Sequence, residues 1–289
     1  MIKKAVLPVA GKGTRFLPAT KEIAKEIIPV IDKPLIHYSV EEAIESNIND
    51  FVFITSREKS ELQDYFTPNY ELELFLKDKG KSHLLEEFKK FYELNFTYIR
   101  QNYAKGFGHA ILLSEKAIGN NPFAVLLPDD LIIAKTPVIK QMIDVYNKYK
   151  CSLIAFMKVD EKEVSRYGIA AGKMIEENLF EIEELIEKPK KEDAPSNYAV
   201  IGRYILTPEI FEILKHSKPG AGGEIQLTDA IRELMKTQKV LGYFFEGKRY
   251  DAGTPAGFIE AFINIALNRD DTREQTLKVI KEIIKNENL

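Results

Sequence analysis

A single cysteine, Cys151, stands in 289 residues, so no internal disulfide can form and a reducing cytosol is the expected compartment. Histidine is nearly as scarce. His37, His83, His109 and His216 are scattered, without the spacing that holds a structural zinc, which leaves oxygen-ligated magnesium as the open metal chemistry. An excess of basic charge is missing too: 41 Lys and Arg oppose 44 Asp and Glu, a net charge of -3. That balance excludes a general basic field for nucleic acid or an anionic membrane, so phosphate binding must be local. No apolar run nears the roughly 18 residues of a membrane span. The start MIKKAVLPVAG runs straight into Lys12 and Arg15 without a small-residue cleavage pattern, and is expected to be a buried strand.

What is present, 45% hydrophobic and 29% charged residues, is the composition of a folded globular chain of one large or two small domains. The runs AVLPVA (5–10), FVFIT (51–55), FTYIR (96–100) and FAVLL (123–127) lack sustained alternation, as strands buried on both faces do. Between the first two, Ile36, Val40, Ala43 and Ile44 recur on one helical face. Strand following helix following strand predicts an α/β fold, a Rossmann-like three-layer sandwich with a mostly parallel, mixed central sheet. Residues 70–95 carry two helical patterns broken near Gly80 and read as an inserted helical hairpin. Beyond 150, strand-like segments at 151–159, 168–173, 179–186 and 197–206 predict an antiparallel or mixed extension. In the last quarter Thr254-Pro255 reads as a helix cap followed by a first-turn proline, with Phe258, Phe262, Ile265 and Ala266 on one face; Thr272-x-x-Gln275 reads as a capping box. Without repeat, low-complexity tract or linker, residues 1–289 read as a single domain with a helical insert at 70–95 and a C-terminal helical extension at 255–289. Phe258, Phe262, Ile280 and Ile284 are its candidate contacts to a second subunit.

In an open parallel sheet, ligands bind beyond the carboxyl ends of the strands. Three candidates fall there: the loop Gly11 to Arg15 after the first strand, Gln101 after the third, and Asp129-Asp130 after the fourth. The loop is neither a dinucleotide fingerprint, since Phe16 stands where the third glycine belongs, nor a P-loop. It still lets a phosphate approach the backbone. Lys12, Arg15, Lys21 and Lys25 against Glu22 and Glu26 suit a triphosphate, while the interleaved Leu17, Pro18, Ile23, Ile27, Ile28 and Pro29 are expected to hold the loop down.

The stretch LPVAGKGTRFLPATKEIAKEIIPVIDKPLI, with AKGFGHAI (104–111), LPDD (127–130), RYGI (166–169), EKPK (187–190), APSNYAVIGRYIL (194–206), PGAGGEIQLTDAI (219–231) and YDAG (250–253), resembles the sugar-1-phosphate nucleotidylyltransferases in order over roughly residues 2–265. The wording is closest to bacterial members that use UTP and glucose 1-phosphate. The resemblance implies that the phosphate of glucose 1-phosphate attacks the α-phosphorus of UTP in line, giving UDP-glucose and pyrophosphate. Such a reaction needs positioning and charge neutralisation more than a general base.

By the same resemblance, Ala10, Gly11, Gly13 and Thr14 match the backbone cradle of the nucleotide, Arg15 and Lys25 the catalytic cations facing the triphosphate, and Gln101 the residue that reads the base. Gly106 matches a backbone contact to the base and Glu26 a further nucleotide contact. Asp129 and Asp251 match carboxylates that hold Mg2+. Asp130, Gly168 and Glu187 match contacts to the glucosyl hydroxyls, with Val200 on the lining strand. Lys188 matches the lysine that grips the sugar phosphate, and Pro189 is expected to keep it extended. The family also implies a homodimer or homotetramer, while the lone cysteine and the charge balance point to a cytoplasmic protein with no nucleic-acid or membrane partner. Thymidylyl transfer to glucose 1-phosphate stays open, since uracil and thymine share the edge an amide reads, as does a non-catalytic sugar-nucleotide-binding regulator.

Overall fold

The computed structural model describes residues 2–57 and 59–287, at 221 the backbone alone. Its strands are β1 (Lys4–Pro8), β2 (Pro29–Val30), β3 (Lys33–Pro34), β4 (Asp50–Thr55), β5 (Asn95–Arg100), β6 (Phe123–Leu126), β7 (Asp130–Ile133), β8 (Ser152–Lys158), β9 (Gly168–Glu176), β10 (Leu179–Glu187), β11 (Tyr198–Leu206), β12 (Val240–Phe244) and β13 (Lys248–Asp251). Its helices are α1 (Leu35–Glu45), α2 (Glu61–Tyr65), α3 (Tyr70–Asp78), α4 (Glu86–Tyr92), α5 (Phe107–Leu113), α6 (Glu115–Ile118), α7 (Val138–Tyr149), α8 (Glu209–His216), α9 (Leu227–Leu234), α10 (Pro255–Asn268) and α11 (Asp270–Glu287).

Nine strands form one mixed sheet in the order β5-β4-β1-β6-β11-β8-β12-β10-β9. The half built from the early chain, β5-β4-β1-β6, is parallel. Beyond it β11 runs antiparallel to both β6 and β8, β12 is parallel to β8, and the β9–β10 hairpin closes the far edge. In β1, β4 and β6 the apolar runs do not alternate with polar residues because both faces are covered; β5, expected to be buried alike, lies at the sheet edge with every residue half-buried or exposed. In β1, Ala5 and Leu7 point into a layer shared with α1 and α7, and Val6 points into one shared with α5, α8 and α9. Each wholly buried Leu, Val or Phe contributes roughly 1.5–3 kcal/mol, so these two layers dominate the stability.

The 70–95 segment folds as α3, a 3-10 turn and α4, broken where Gly80 takes a φ of 66°. A charge-balanced cluster pins α4 to the body: Lys90 and Lys33 bridge Glu41 on α1 and Glu87 on α4. His37, buried beneath them, bonds through Nδ1 to the Tyr65 hydroxyl at 2.7 Å. Its Nε2, Glu41 and Glu87 lie close enough to ligate a cation, but the two ammoniums already neutralise both carboxylates.

At the C-terminus, Thr254 caps α10 by accepting from the Gly257 amide, with Pro255 following as expected. Ala261 and Ile265 pack home against Val30, Leu35, Leu131 and Tyr250. Phe258 also packs home, edge-on to Phe16, whereas Phe262 and Ile284 stand in solvent and Ile280 is half-buried. The capping box does not form. Arg269, extended and paired with Asp271 and Asp32, ends α10, so α11 begins at Asp270 and Thr272 already lies inside it; its hydroxyl donates to the Ala266 carbonyl at 2.8 Å. No helix among the described residues is long and apolar enough to cross a membrane.

Candidate active site

A cleft of about 1290 Å³ opens over the carboxyl ends of β1, β5 and β6. Ala10, Gly11, Thr14, Arg15, Lys25, Glu26, Gln101, Gly106, Asp129, Asp130, Gly168, Glu187, Lys188, Val200 and Asp251 all line it. Gly13 sits just behind, where its carbonyl accepts from the Thr20 hydroxyl at 2.7 Å. The loop after β1 winds through three 3-10 turns. Its anchors are only partly the expected ones: Ile27 packs against the core and Ile28 is half-buried, but Leu17, Pro18, Ile23 and Pro29 are exposed, and buried Ala24 and Glu26 with the bond from the Ala24 amide to Glu61 hold the rest.

At the base of the loop a buried ion pair, Glu26–Lys59 at 2.7 Å, is completed by a bond from Lys59 to the Val9 carbonyl. Burial raises the Glu26 pKa even with Lys59 beside it. Across the cleft Gln101 donates to the Gly106 carbonyl at 3.1 Å and meets His109 Nδ1 at 2.9 Å. Burial, aided by Lys105, lowers the His109 pKa, which suits a neutral ring accepting from the amide. Gly106 has a φ of 95°, and a Cβ there would stand 2.7 Å from Glu224 Cβ and 2.8 Å from the Ile225 carbonyl. The segment 219–231 thus clamps the loop before α5, with the Ile225 N–H bonding the Lys105 carbonyl and the Gly108 N–H the Ile225 carbonyl.

The carboxylates come together through strand register. The antiparallel pair β7–β13 sets Asp251 directly opposite Asp130, an arrangement of like charges that would destabilise the pair without a cation. Arg249 supplies it, donating from Nε to Asp130 Oδ1 at 2.6 Å, while Gly202 N–H donates to Oδ2 at 2.8 Å. Burial pushes the Asp130 carboxyl up and Arg249 pulls it back. Asp129 is bound by Lys25. Burial works against both charges, yet Lys25 holds the Asp129 pKa below its usual value and Asp129 helps to raise that of Lys25. Asp251 Oδ2 accepts from Arg166 at 3.0 Å.

A Cβ built on Gly253 would lie 2.9 Å from Asp129 Oδ2 and 3.3 Å from Asp251 Oδ1, so both carboxylates border one small space that this glycine keeps open. Two hard oxygen donors bordering one space in an open cleft fit a divalent cation that keeps waters and shares substrate oxygens.

At the other end Gly168 forms a floor from which a Cβ would meet Glu187 Oε2 and Val200 Cγ2, each at 3.2 Å. Thr228 donates to Glu187 Oε2 at 2.7 Å. Lys188 is not held extended. Its φ is 46°, because its N–H bonds the Tyr167 carbonyl and the register pairing Glu187 with Gly168 overrides the preference of a residue before proline. A non-glycine residue there stores strain of order 1–3 kcal/mol, a recurrent feature of functional positions. Lys59, His109, Arg166, Thr228 and Arg249 escaped the sequence reading. Arg166, His109 and Thr228 lie inside RYGI, AKGFGHAI and PGAGGEIQLTDAI, so those blocks were the available signal.

Residues 4–267 match the nucleotidyl transferase family. The chain belongs to that family. It is 45% identical over 289 residues, all of this chain and 99% of the relative, to a UTP–glucose-1-phosphate uridylyltransferase of Bacillus subtilis. A UDP-glucose pyrophosphorylase solved in complex with UDP-glucose superposes with a TM-score of 0.87 at 49% identity, covering 93% of this chain and 100% of that one. A UTP-bound enzyme from Acinetobacter baumannii gives 0.90 at 38% identity, covering 98% and 99%. The family assignment agrees with the α/β fold, the mixed sheet and the cleft at its strand ends.

Proposed function

We propose that this protein joins UTP and glucose 1-phosphate into UDP-glucose and pyrophosphate, acting as a UTP–glucose-1-phosphate uridylyltransferase. The observation that carries the reading is that one cleft unites the cations Arg15, Lys25 and Lys188, the carboxylates Asp129 and Asp251 and a polar, glycine-floored end, in a chain matching such an enzyme along its whole length.

Ala10, Gly11, Gly13 and Thr14 cradle the nucleotide, Gln101 and the Gly106 backbone read the uracil, and Glu26 braces that side. Arg15 and Lys25 face the triphosphate, where fixed positive charge stabilises the transferring and departing phosphates. Gly168, Glu187, Val200 and Asp130 receive the glucosyl group, Asp130 while remaining tied to Arg249. Lys188 holds the phosphate of glucose 1-phosphate for in-line attack on the α-phosphorus, so proximity supplies much of the rate. Asp129 and Asp251 are the residues that would hold Mg2+, which when bound neutralises phosphate charge and orients the oxygens.

The chain works as one domain with the 70–95 insert and the 255–289 helices as additions. Exposed Phe262, Ile263, Ile283 and Ile284 support a homodimer or homotetramer, and a lone cysteine supports the cytoplasm. The deciding test is pyrophosphate release with glucose 1-phosphate and either UTP or dTTP. Preference for UTP is expected. Preference for dTTP, or tight UDP-glucose binding without turnover, would refute the assignment.

A further inference from the structure

Among the described residues Arg203 is the largest fully buried side chain, at 1% exposure. Its guanidinium grips Glu42 on α1, with Nε donating to Oε1 and Oε2 at 3.1 and 3.0 Å and Nη2 to Oε2 at 2.7 Å. The other arm, Nη1, donates to the carbonyls of Leu127 at 3.0 Å and Gly202 at 3.2 Å. The Leu127 carbonyl also accepts the Asp130 N–H at 3.1 Å, the bond that closes the turn Leu127-Pro128-Asp129-Asp130. Gly202 grips the same turn from its other side, accepting from Leu127 N–H and donating to Asp130 Oδ2, each at 2.8 Å. A Cβ on Gly202 would strike Asp130 Oδ2 at 2.5 Å and Leu127 Cβ at 2.6 Å.

We propose that Arg203, paired with Glu42, is a positioning residue that fixes the turn carrying Asp129. A buried ion pair is a weak source of stability, because desolvating two charges offsets most of their attraction and an apolar pair often serves the fold as well. Its distinctive product is geometry. The planar fork has one edge for a carboxylate and leaves a second arm at a set angle for a carbonyl. Glu42 is itself immobilised, since its Oε1 accepts the Ile139 amide in the first turn of α7 at 3.1 Å. The position of the Asp129 carboxylate is therefore referred through Leu127, Arg203 and Glu42 to two helices of the core. The consequence for metal rests on the reading of Asp129 as a cation ligand.

The test uses the full chain, with Mn2+ as the probe. In Glu42→Leu/Arg203→Met the pair becomes apolar at similar volume, and Tm is expected to stay within about 4 °C of the parent. The Mn2+ Kd is expected to weaken at least about tenfold, as losses behind metal ligands do. Exchange of the Asp130 amide should quicken by about tenfold or more. Arg203→Lys, which keeps charge without the fork, should fold and fall between. A folded double variant with the parent Mn2+ Kd and parent Asp130 exchange would overturn the proposal. Should the double variant not fold, Arg203→Lys and Glu42→Gln decide by the same readings, and collapse of all three would overturn it in favour of a purely structural pair. If the parent binds no Mn2+, the metal reading of Asp129 fails by itself, while Asp130 exchange, which involves no metal, still decides the strut.

Discussion

Gly253→Ala places a methyl group where the cleft is most demanding. The added Cβ would lie 2.9 Å from Asp129 Oδ2, closer than real Cβ atoms come, and 3.3 Å from both Asp129 Cβ and Asp251 Oδ1. Asp129 must retreat, and its retreat is opposed by Lys25, which grips the same oxygen. The backbone itself takes the change without strain, since Gly253 is not in the left-handed region, and replacing glycine at such a site favours the fold by about 0.4–1 kcal/mol through the unfolded chain. Stability and chemistry are thereby separated. Misplacement on the ångström scale costs about 10²-fold in rate, equivalent to about 2.7 kcal/mol of transition-state stabilisation. Initial rates of pyrophosphate release across a magnesium titration, beside calorimetry on the same sample, measure both. The expected result is an unchanged or slightly raised Tm, turnover reduced about a hundredfold, and a higher magnesium requirement. Parent-like turnover at the parent magnesium requirement would refute the placement of the cation between Asp129 and Asp251, and a large fall in Tm would reassign the lost activity to misfolding.

Lys25→Met removes the partner of Asp129 and should lower kcat by about 10²–10³-fold. Burial then dominates the Asp129 carboxyl and raises its pKa, so the acid limb of the pH–rate profile should move to higher pH. Thr228→Val takes a donor from Glu187; KM for glucose 1-phosphate should rise roughly tenfold, with kcat moving less, in steady-state kinetics. Partial burial opposes the Glu87 charge, but bonds from Lys33 and Lys90 hold its pKa down to about 2, and Glu41 is lowered likewise. A depressed carboxylate supplies stability that is present above its ordinary value of 4.5 and lost as pH falls towards 2, so hydrogen-exchange protection factors over 86–92, taken relative to the intrinsic rate at each pH, should fall across that window while those of the β1 amides hold.

The parts of this molecule that the sequence makes legible are those governed by neighbours along the chain. Apolar runs without alternation announce β1, β4 and β6 because each residue sends its side chain into one of two covered layers, and Thr254-Pro255 announces α10 because a cap acts within three residues. Misreadings begin where a local motif meets a distant partner: Arg269 reaching Asp32 starts α11 before Thr272 can cap it, and the Tyr167 carbonyl turns Lys188 out of the extended state that Pro189 favours. The site is harder still, because its charges are arranged by register. Asp251 meets Asp130 only when β13 pairs with β7, Arg249 follows from that pairing, and Arg203 finds Glu42 161 residues away. Motif blocks name residues that line the cleft, most of them at strand ends or turns. Arg166, Arg203 and Thr228 fall inside the same blocks, but nothing along the chain says which residue each will hold, since those pairings follow from sheet order. The blind spot is therefore physical: a carboxylate announces that it needs a counter-charge, but which strand delivers it is decided only when the sheet has assembled.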